Sequence, residues 1–169
     1  MTGQPTRDEV DTIVEAWRRE RPDLDVAPME VLSRISRLAL HLDRLRSSAF
    51  SAHDLESWEF DVLAALRRAG VPYRLSPGQL LRETLVTSGT MTNRVDRLVE
   101  RGLVTRHNHP NDRRGVLVQL TAAGRDAVDA ALAELMAAER QIIDPLDVAD
   151  HDQLTHSLRL LLARYGPDR

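Results

Sequence analysis

At Gly102 the apolar period of this chain changes from that of a helix to that of a strand. Before it, in "TSGTMTNRVDRLVERG", Met91, Val95, Leu98 and Val99 recur at helical spacing, so one stripe of that helix must be buried. After it, "LVTRHNH" and "VLVQL" alternate as two short strands joined by the turn-forming "PNDRRG". Thr87 or Ser88 is the expected cap of the helix and Gly102 its left-handed terminator. A helix that runs at once into a hairpin leaves few architectures open, and what flanks it narrows them further.

Upstream, Arg7 to Arg21 reads as a helix with Val10, Ile13, Val14 and Trp17 on one side, broken by "RPDLDVAP". Pro28 belongs in the first turn of the next helix, where its missing amide costs nothing. That helix runs to about Phe50 and carries Val31, Ile35, Leu38, Leu42, Leu45 and Ala49, a heptad-like seam suited to a partner helix. "HDLESWEFDVLAALRRAG" is a third helix, capped by Asp54 and stopped by Gly70, with Leu55, Trp58, Val62 and Leu66 inward. "SPGQLLRETL" is a short helix whose Ser76 and Gln79 form a capping box around Pro77. Downstream of the hairpin, Val128, Ala131, Leu135, Ala138 and Ile142 form a second heptad-like seam that Pro145 ends. A last helix near His151 to Tyr165 presents Leu154, Leu158, Leu161 and Leu162.

Two helices, a third with a polar outer face and then a ribbon make a mainly α fold, a winged helix-turn-helix with a two-stranded β wing. The long seams at both ends exceed what so small a core requires, and their simplest use is to bury apolar surface between two copies. The expected organisation of the 169 residues is a single chain in three parts. Residues 7–50 supply N-terminal and dimerisation helices, 54–120 the winged helix-turn-helix, and 121–169 C-terminal dimerisation helices.

Composition removes several classes. Cysteine is absent, which excludes a disulfide framework and thiolate chemistry and fits a reducing cytosol. No apolar run approaches the ~20 residues of a membrane span, and Met1 to Arg19 lacks the apolar core of a signal peptide, so a cytoplasmic protein without a membrane partner is expected. The net charge of −3 hides an asymmetry. From Arg82 to Arg125, eight arginines oppose Glu83, Asp96, Glu100 and Asp112, a net +4 that leaves −7 for the rest of the chain. A basic segment on an acidic body suits a local polyanion contact. All 23 basic residues are arginine; the guanidinium fork suits phosphate and guanine, although a GC-rich genome explains the bias more simply.

With Met91, Val95 and Leu98 turned to the core, Ser88, Thr90, Thr92, Asn93 and Arg97 are the candidates for DNA contact. Hydroxyls and an amide at a helix start can enter a major groove, arginine can bond guanine bidentately, and the helix N-terminus attracts phosphate. Arg113 and Arg114 follow at the tip of the ribbon, where arginine can enter a narrow minor groove, and Asp112 is assigned to orient Arg114. A solvated amphipathic helix would account for the first element alone, but not for helix and basic ribbon together.

"SGTMTNRVDRLVERGLVTR" and "DRRGVLVQLTAAGR" are closely similar to the recognition helix and wing of the multiple-antibiotic-resistance regulator (MarR) family. The resemblance spans roughly Leu32 to Leu162 and is strongest from Ser88 to Gly124. It implies a homodimeric repressor on double-stranded DNA, bound to a near-palindromic operator with half-sites about one helical turn apart and released by a small molecule. The N-terminal "EAWRRERPDLDVAPMEVLSRISR" resembles the added helix of the family's urate-responsive branch. By that resemblance the ligand residues are Trp17, Asp61, Arg94 and Arg106. A tryptophan can stack on a flat heterocycle and two guanidiniums can neutralise an anion, with Asp61 pairing Arg94 in the empty protein.

Other readings of these residues stay open. Trp17 can serve as a core anchor, Asp61 and Arg94 as a structural ion pair, Arg106 as a phosphate contact, and the ligand can be a polycarboxylate or phenolic anion. His107 and His109 alternate on a strand without a visible zinc set, and no metal or cofactor is expected beyond the small-molecule effector. His41 reads as a buried neutral histidine, or as a source of acid sensitivity in dimerisation or DNA binding. An enzyme is not expected: the chain has no Gly-rich phosphate loop and no nucleophile elbow, and Glu59 and Asp61 point to different sides of their helix. A dimeric ligand-binding module without DNA affinity is the remaining alternative.

Overall fold

The computed structural model describes residues 7–84, 88–109 and 112–165, and the side chains of residues 88, 109 and 112–114 lie outside that description. The elements in order are α1 (Glu9–Glu20), α2 (Ala27–Ser51), α3 (Ser57–Arg68), β1 (Arg74–Leu75), α4 (Pro77–Thr84), α5 (Ser88–Glu100), β2 (Val104–His109), β3 (Asp112–Leu120), α6 (Ala122–Ile143) and α7 (Val148–Leu162), with a terminal 3-10 turn at Ala163–Tyr165. The chain is mainly helical with one small antiparallel sheet, a winged helix-turn-helix. It divides into two compact units, Met1–Leu45 and Arg46–Arg169.

In the first unit, α1 starts at Asp8, whose carboxylate accepts the amides of Val10 and Asp11 while the Asp11 carboxylate accepts the amide of Asp8. Val10, Val14 and Val26 form the buried cluster, with Met29 packed on it. Arg34 of α2 binds Asp8 at 2.7 Å and Asp11 at 2.7 Å. The Asp8 carboxyl is held below its ordinary value chiefly by Arg34, and that of Asp11 first by the Asp8 amide and then by Arg34. Glu9 with Arg37, and Glu30 with Arg18, add exposed pairs between the same two helices. Within this unit Val31, Ile35 and Leu38 of the α2 seam are exposed. His41 is also exposed, which overturns its reading as a buried histidine.

The second unit begins within α2, where Phe50 is wholly buried and stacks on Phe60 of α3 with ring centroids 4.0 Å apart. α3 starts two residues later than the sequence led us to expect. Asp54 is not its cap but a residue at φ +55°, and Glu56 precedes the helix, its amide bound by the Glu59 carboxylate at 2.9 Å. Ser76 and Gln79 do form the expected capping box, at 2.8 and 3.3 Å. Gly70 and Gly102 both take positive φ after their helices, the conformation that only glycine adopts without strain. Thr87, the other cap considered for α5, lies outside the described residues.

The sheet has three strands, not two, in the order β1-β3-β2. β1 is only two residues long, too short to show an alternating pattern, and pairs Arg74 with Gln119 and Leu75 with Val118. β2 and β3 pair from Val104 opposite Leu120 to Asn108 opposite Val116, with an irregularity at His109. The core of the unit gathers Leu63, Leu66, Leu80, Met91, Leu98 and Val118, all fully buried.

The α6 seam is used differently from the expectation. Val128, Ala131 and Leu135 are buried within the chain's own core. Leu132, Met136 and Ile143 remain exposed on α6. α7 starts three residues earlier than read, with Asp147 capping it through the Asp150 amide at 2.8 Å, and none of its residues is buried.

Candidate nucleic-acid interface

α5 is amphipathic because its apolar members sit three or four residues apart. Met91, Val95 and Leu98 are buried, so Thr90, Thr92, Asn93, Asp96 and Arg97 are carried to the exposed side. This is the arrangement read from the sequence, except that Val99, counted with the buried stripe, is exposed. Ser88 opens the helix, with its side chain outside the described residues. The backbone of Asp112, Arg113 and Arg114 belongs to strand β3, so these residues lie in the ribbon itself; their side chains are outside the description, as is the proposed orientation of Arg114 by Asp112.

What the sequence reading missed is the aromatic plate behind the arginines. Trp58 of α3, expected inward, is only partly buried. Arg97 lies over its ring at 4.8 Å from the centroid and Arg94 at 5.4 Å, both within cation–π range. The indole Nε1–H donates to one oxygen of Glu56 at 2.7 Å, and the other oxygen accepts from Arg97 Nη2 at 2.7 Å. The Glu56 carboxyl is held below the usual glutamate range, first by the indole N–H, which outweighs an opposing burial effect, and then by Arg97. Trp58, Gly89, Thr90, Asn93, Arg94 and Arg97 line one open depression of about 460 Å³. The sequence signal for Trp58 was its place one turn before Asp61, but an aromatic at helical spacing counted as core.

The expected Asp61–Arg94 pair is not the arrangement found. Asp61 is 3.6 Å from Arg46, whose guanidinium also lies 5.4 Å over the Phe50 ring. Arg94 is engaged by Trp58 instead. Arg106 of β2 pairs with Asp96 of α5 at 2.6 Å, which ties the wing strand to the recognition helix. Trp17 belongs to the first unit and leaves 46% of its surface exposed, while Val10 and Val14 fill that unit's core. Asp61 and Trp58, three residues apart, are neighbours on α3, so the Arg46 and Arg94 contacts lie one turn apart on that helix. His107 Nε2 is 2.9 Å from Thr105 Oγ1, and among the described residues no group of three or more acidic or histidine side chains is placed to hold a metal ion.

A second depression, about 280 Å³, lies between α3 and α6. Asp61, Arg46 and Arg68 border it together with Phe60, Leu132 and Met136, and Arg67 at its edge is held by Asp129 at 2.8 Å. Charged groups around an apolar floor are the usual make-up of a small-molecule site.

A helix with a buried apolar stripe, a polar outer face and an antiparallel ribbon after it defines the winged helix-turn-helix class. The family model described as "MarR family" matches residues 53–115. The HTH-type transcriptional regulator PecS of Dickeya dadantii (strain 3937) is 42% identical over 156 residues, 92% of this chain and 92% of its own length. This chain belongs to the MarR family of transcriptional regulators. Among solved structures, a mutant of Escherichia coli MarR complexed with operator DNA is 28% identical, with a TM-score of 0.67 over 82% of this chain and 99% of that one. Bordetella bronchiseptica BpsR, solved to explain regulation of its DNA binding by 6-hydroxynicotinic acid, is 25% identical, with a TM-score of 0.64 over 78% of this chain and 91% of its own.

Proposed function

We propose that this chain is a homodimeric, ligand-responsive repressor that binds a near-palindromic operator and is released by a small anion of the urate type. The observation that carries the reading is the outer face of α5, where Thr90, Thr92, Asn93 and Arg97 lie exposed opposite a fully buried stripe. Major-groove recognition uses such residues at a helix start, and arginine bonds guanine there. The backbone of Arg113 and Arg114 places two more arginines in β3 of the ribbon, and arginine can enter a narrow minor groove. The MarR relative held on operator DNA supports the same use of the fold.

A homodimer accounts for the apolar surface that the chain leaves uncovered. Leu154 and Leu158 on α7 are 44% and 37% exposed, and on α2 Val31 is 53% exposed. Surfaces of this kind at both chain ends mark association.

Within the second unit the effector reading rests on Asp61, Arg94 and Arg106. Arg94 and Arg106 sit on α5 and β2, and each is held lightly, by an indole face and by exposed Asp96. An anion that captures both guanidiniums pulls on the recognition helix and the wing strand together and shifts the half-site spacing. Regulation of BpsR by a hydroxylated nicotinic acid is a parallel from a relative.

Calorimetric titration with urate tests the assignment. Arg94→Gln and Arg106→Gln are each expected to weaken binding by roughly tenfold or more, the effect of removing one charged hydrogen-bond partner. Wild-type affinity in both variants would show that these residues do not hold the ligand.

A further inference from the structure

The contacts around Trp58 are arranged for more than packing. Arg97 is half-exposed, and a long side chain so placed ordinarily samples many rotamers, a freedom it would lose on meeting DNA. Here two groups remove that freedom beforehand. The indole face lies under the guanidinium at 4.8 Å, and Glu56 takes one of its N–H groups at 2.7 Å. Glu56 is itself held in place by the Trp58 Nε1–H at 2.7 Å, so plate and carboxylate orient each other. A guanidinium resting on an aromatic face keeps its donor edges in plane, available for the paired acceptors of a guanine. Arg94 rests on the same ring at 5.4 Å, so the ring also spaces the two arginines one turn apart on α5.

We infer that Trp58, with Glu56, is a positioning residue that sets Arg97 for sequence-specific contact. The inference rests on the reading of α5 as a DNA-recognition helix and adds a residue of α3 to its specificity. Neither Trp58 nor Glu56 needs to touch a base. Their effect falls on the discrimination between sequences and spares the nonspecific phosphate attraction.

The test compares the full chain with Trp58→Leu, Trp58→Phe and Glu56→Gln by fluorescence anisotropy. One probe is a duplex from the gene's own upstream region; the other is a scrambled duplex of the same length and composition, with both titrated over a range of salt. Trp58→Leu is expected to lower the ratio of specific to nonspecific affinity about tenfold, with the nonspecific affinity and its salt slope unchanged. Trp58→Phe, which keeps a ring face, recovers most of the ratio. Glu56→Gln lowers it roughly threefold and decides the matter should Trp58→Leu fail to fold. An unchanged ratio in the folded variants, or a parallel loss on both duplexes, overturns the role of Trp58 alone. A wild-type protein that does not distinguish the two duplexes overturns the DNA-recognition reading, and this inference with it.

Discussion

Gly124→Ala is expected to cost about 3 kcal/mol of folding stability or more, because the added methyl has nowhere to go. A Cβ at Gly124 would stand 2.1 Å from the Leu103 carbonyl oxygen and 3.0 Å from the Leu120 Cδ1. The first obstacle is backbone, which cannot swing aside as a side chain does. It is also engaged: Leu103 O accepts the Thr121 amide at 3.1 Å, and Thr121 Oγ1 lies 3.0 Å from it. The Gly124 amide in turn donates to Thr121 Oγ1 at 3.0 Å, so the start of α6 and the start of β2 are sewn together at this point. Making room forces α6 away from the wing root and breaks these bonds. In thermal unfolding the midpoint should fall by roughly 10 °C for a chain of this length. A midpoint within one or two degrees of wild type would mean that the helix start and Leu103 are not in the contact described.

Arg101→Ala is expected to be the other severe substitution, at about 3–5 kcal/mol, since it strands a buried carboxylate. Glu59 is fully buried, and among the described residues one of its oxygens has no hydrogen-bond partner. The other accepts the Glu56 amide at 2.9 Å and Arg101 Nη1. The second Arg101 nitrogen reaches the carbonyl and carboxylate of Asp54, each at 2.6 Å. One guanidinium thus ties the end of α5 to the turn before α3, and Glu59 first, then its acidic neighbours, hold the arginine's pKa above its ordinary value. Urea unfolding measures the loss as a lower midpoint. Glu59→Leu combined with Arg101→Met should recover at least half of it, because no charge is then left buried. A double variant as unstable as Arg101→Ala alone would place the cost in lost packing instead.

How much of this could be read in advance differs by the range of the interaction. The face of α5 was legible because Met91, Val95 and Leu98 recur within two turns, so the buried stripe names the exposed one. The Ser76–Gln79 box and the glycines at 70 and 102 were legible for the same reason: cause and effect lie within three or four residues. Side-chain pairing across elements was not. Asp61 was assigned to Arg94 by resemblance, whereas its nearest cation is Arg46, brought over from the end of α2. Glu59 and Arg101, 42 residues apart, gave no local sign of their pairing. Trp58 was read as core because an indole counts as apolar in a periodicity, although its ring face and N–H make it a platform for cations. The seam on α6 carried a correct apolar pattern, but a pattern does not say which helix will cover it, and the chain's own core took Val128, Ala131 and Leu135. Asp54 lost the cap of α3 to Glu56, two residues on, a boundary decided by the Glu59 carboxylate folding back to the Glu56 amide.

The central claim is that α5 reads DNA and that an anion held by Arg94 and Arg106 controls it. The most direct measurement is anisotropy of a duplex from the gene's own upstream region at fixed salt, titrated with protein in the absence and presence of urate. The account predicts tight binding that a scrambled duplex does not match and that urate weakens. Binding no tighter than to the scrambled duplex would contradict it, and specific binding that urate leaves unchanged would contradict its effector half.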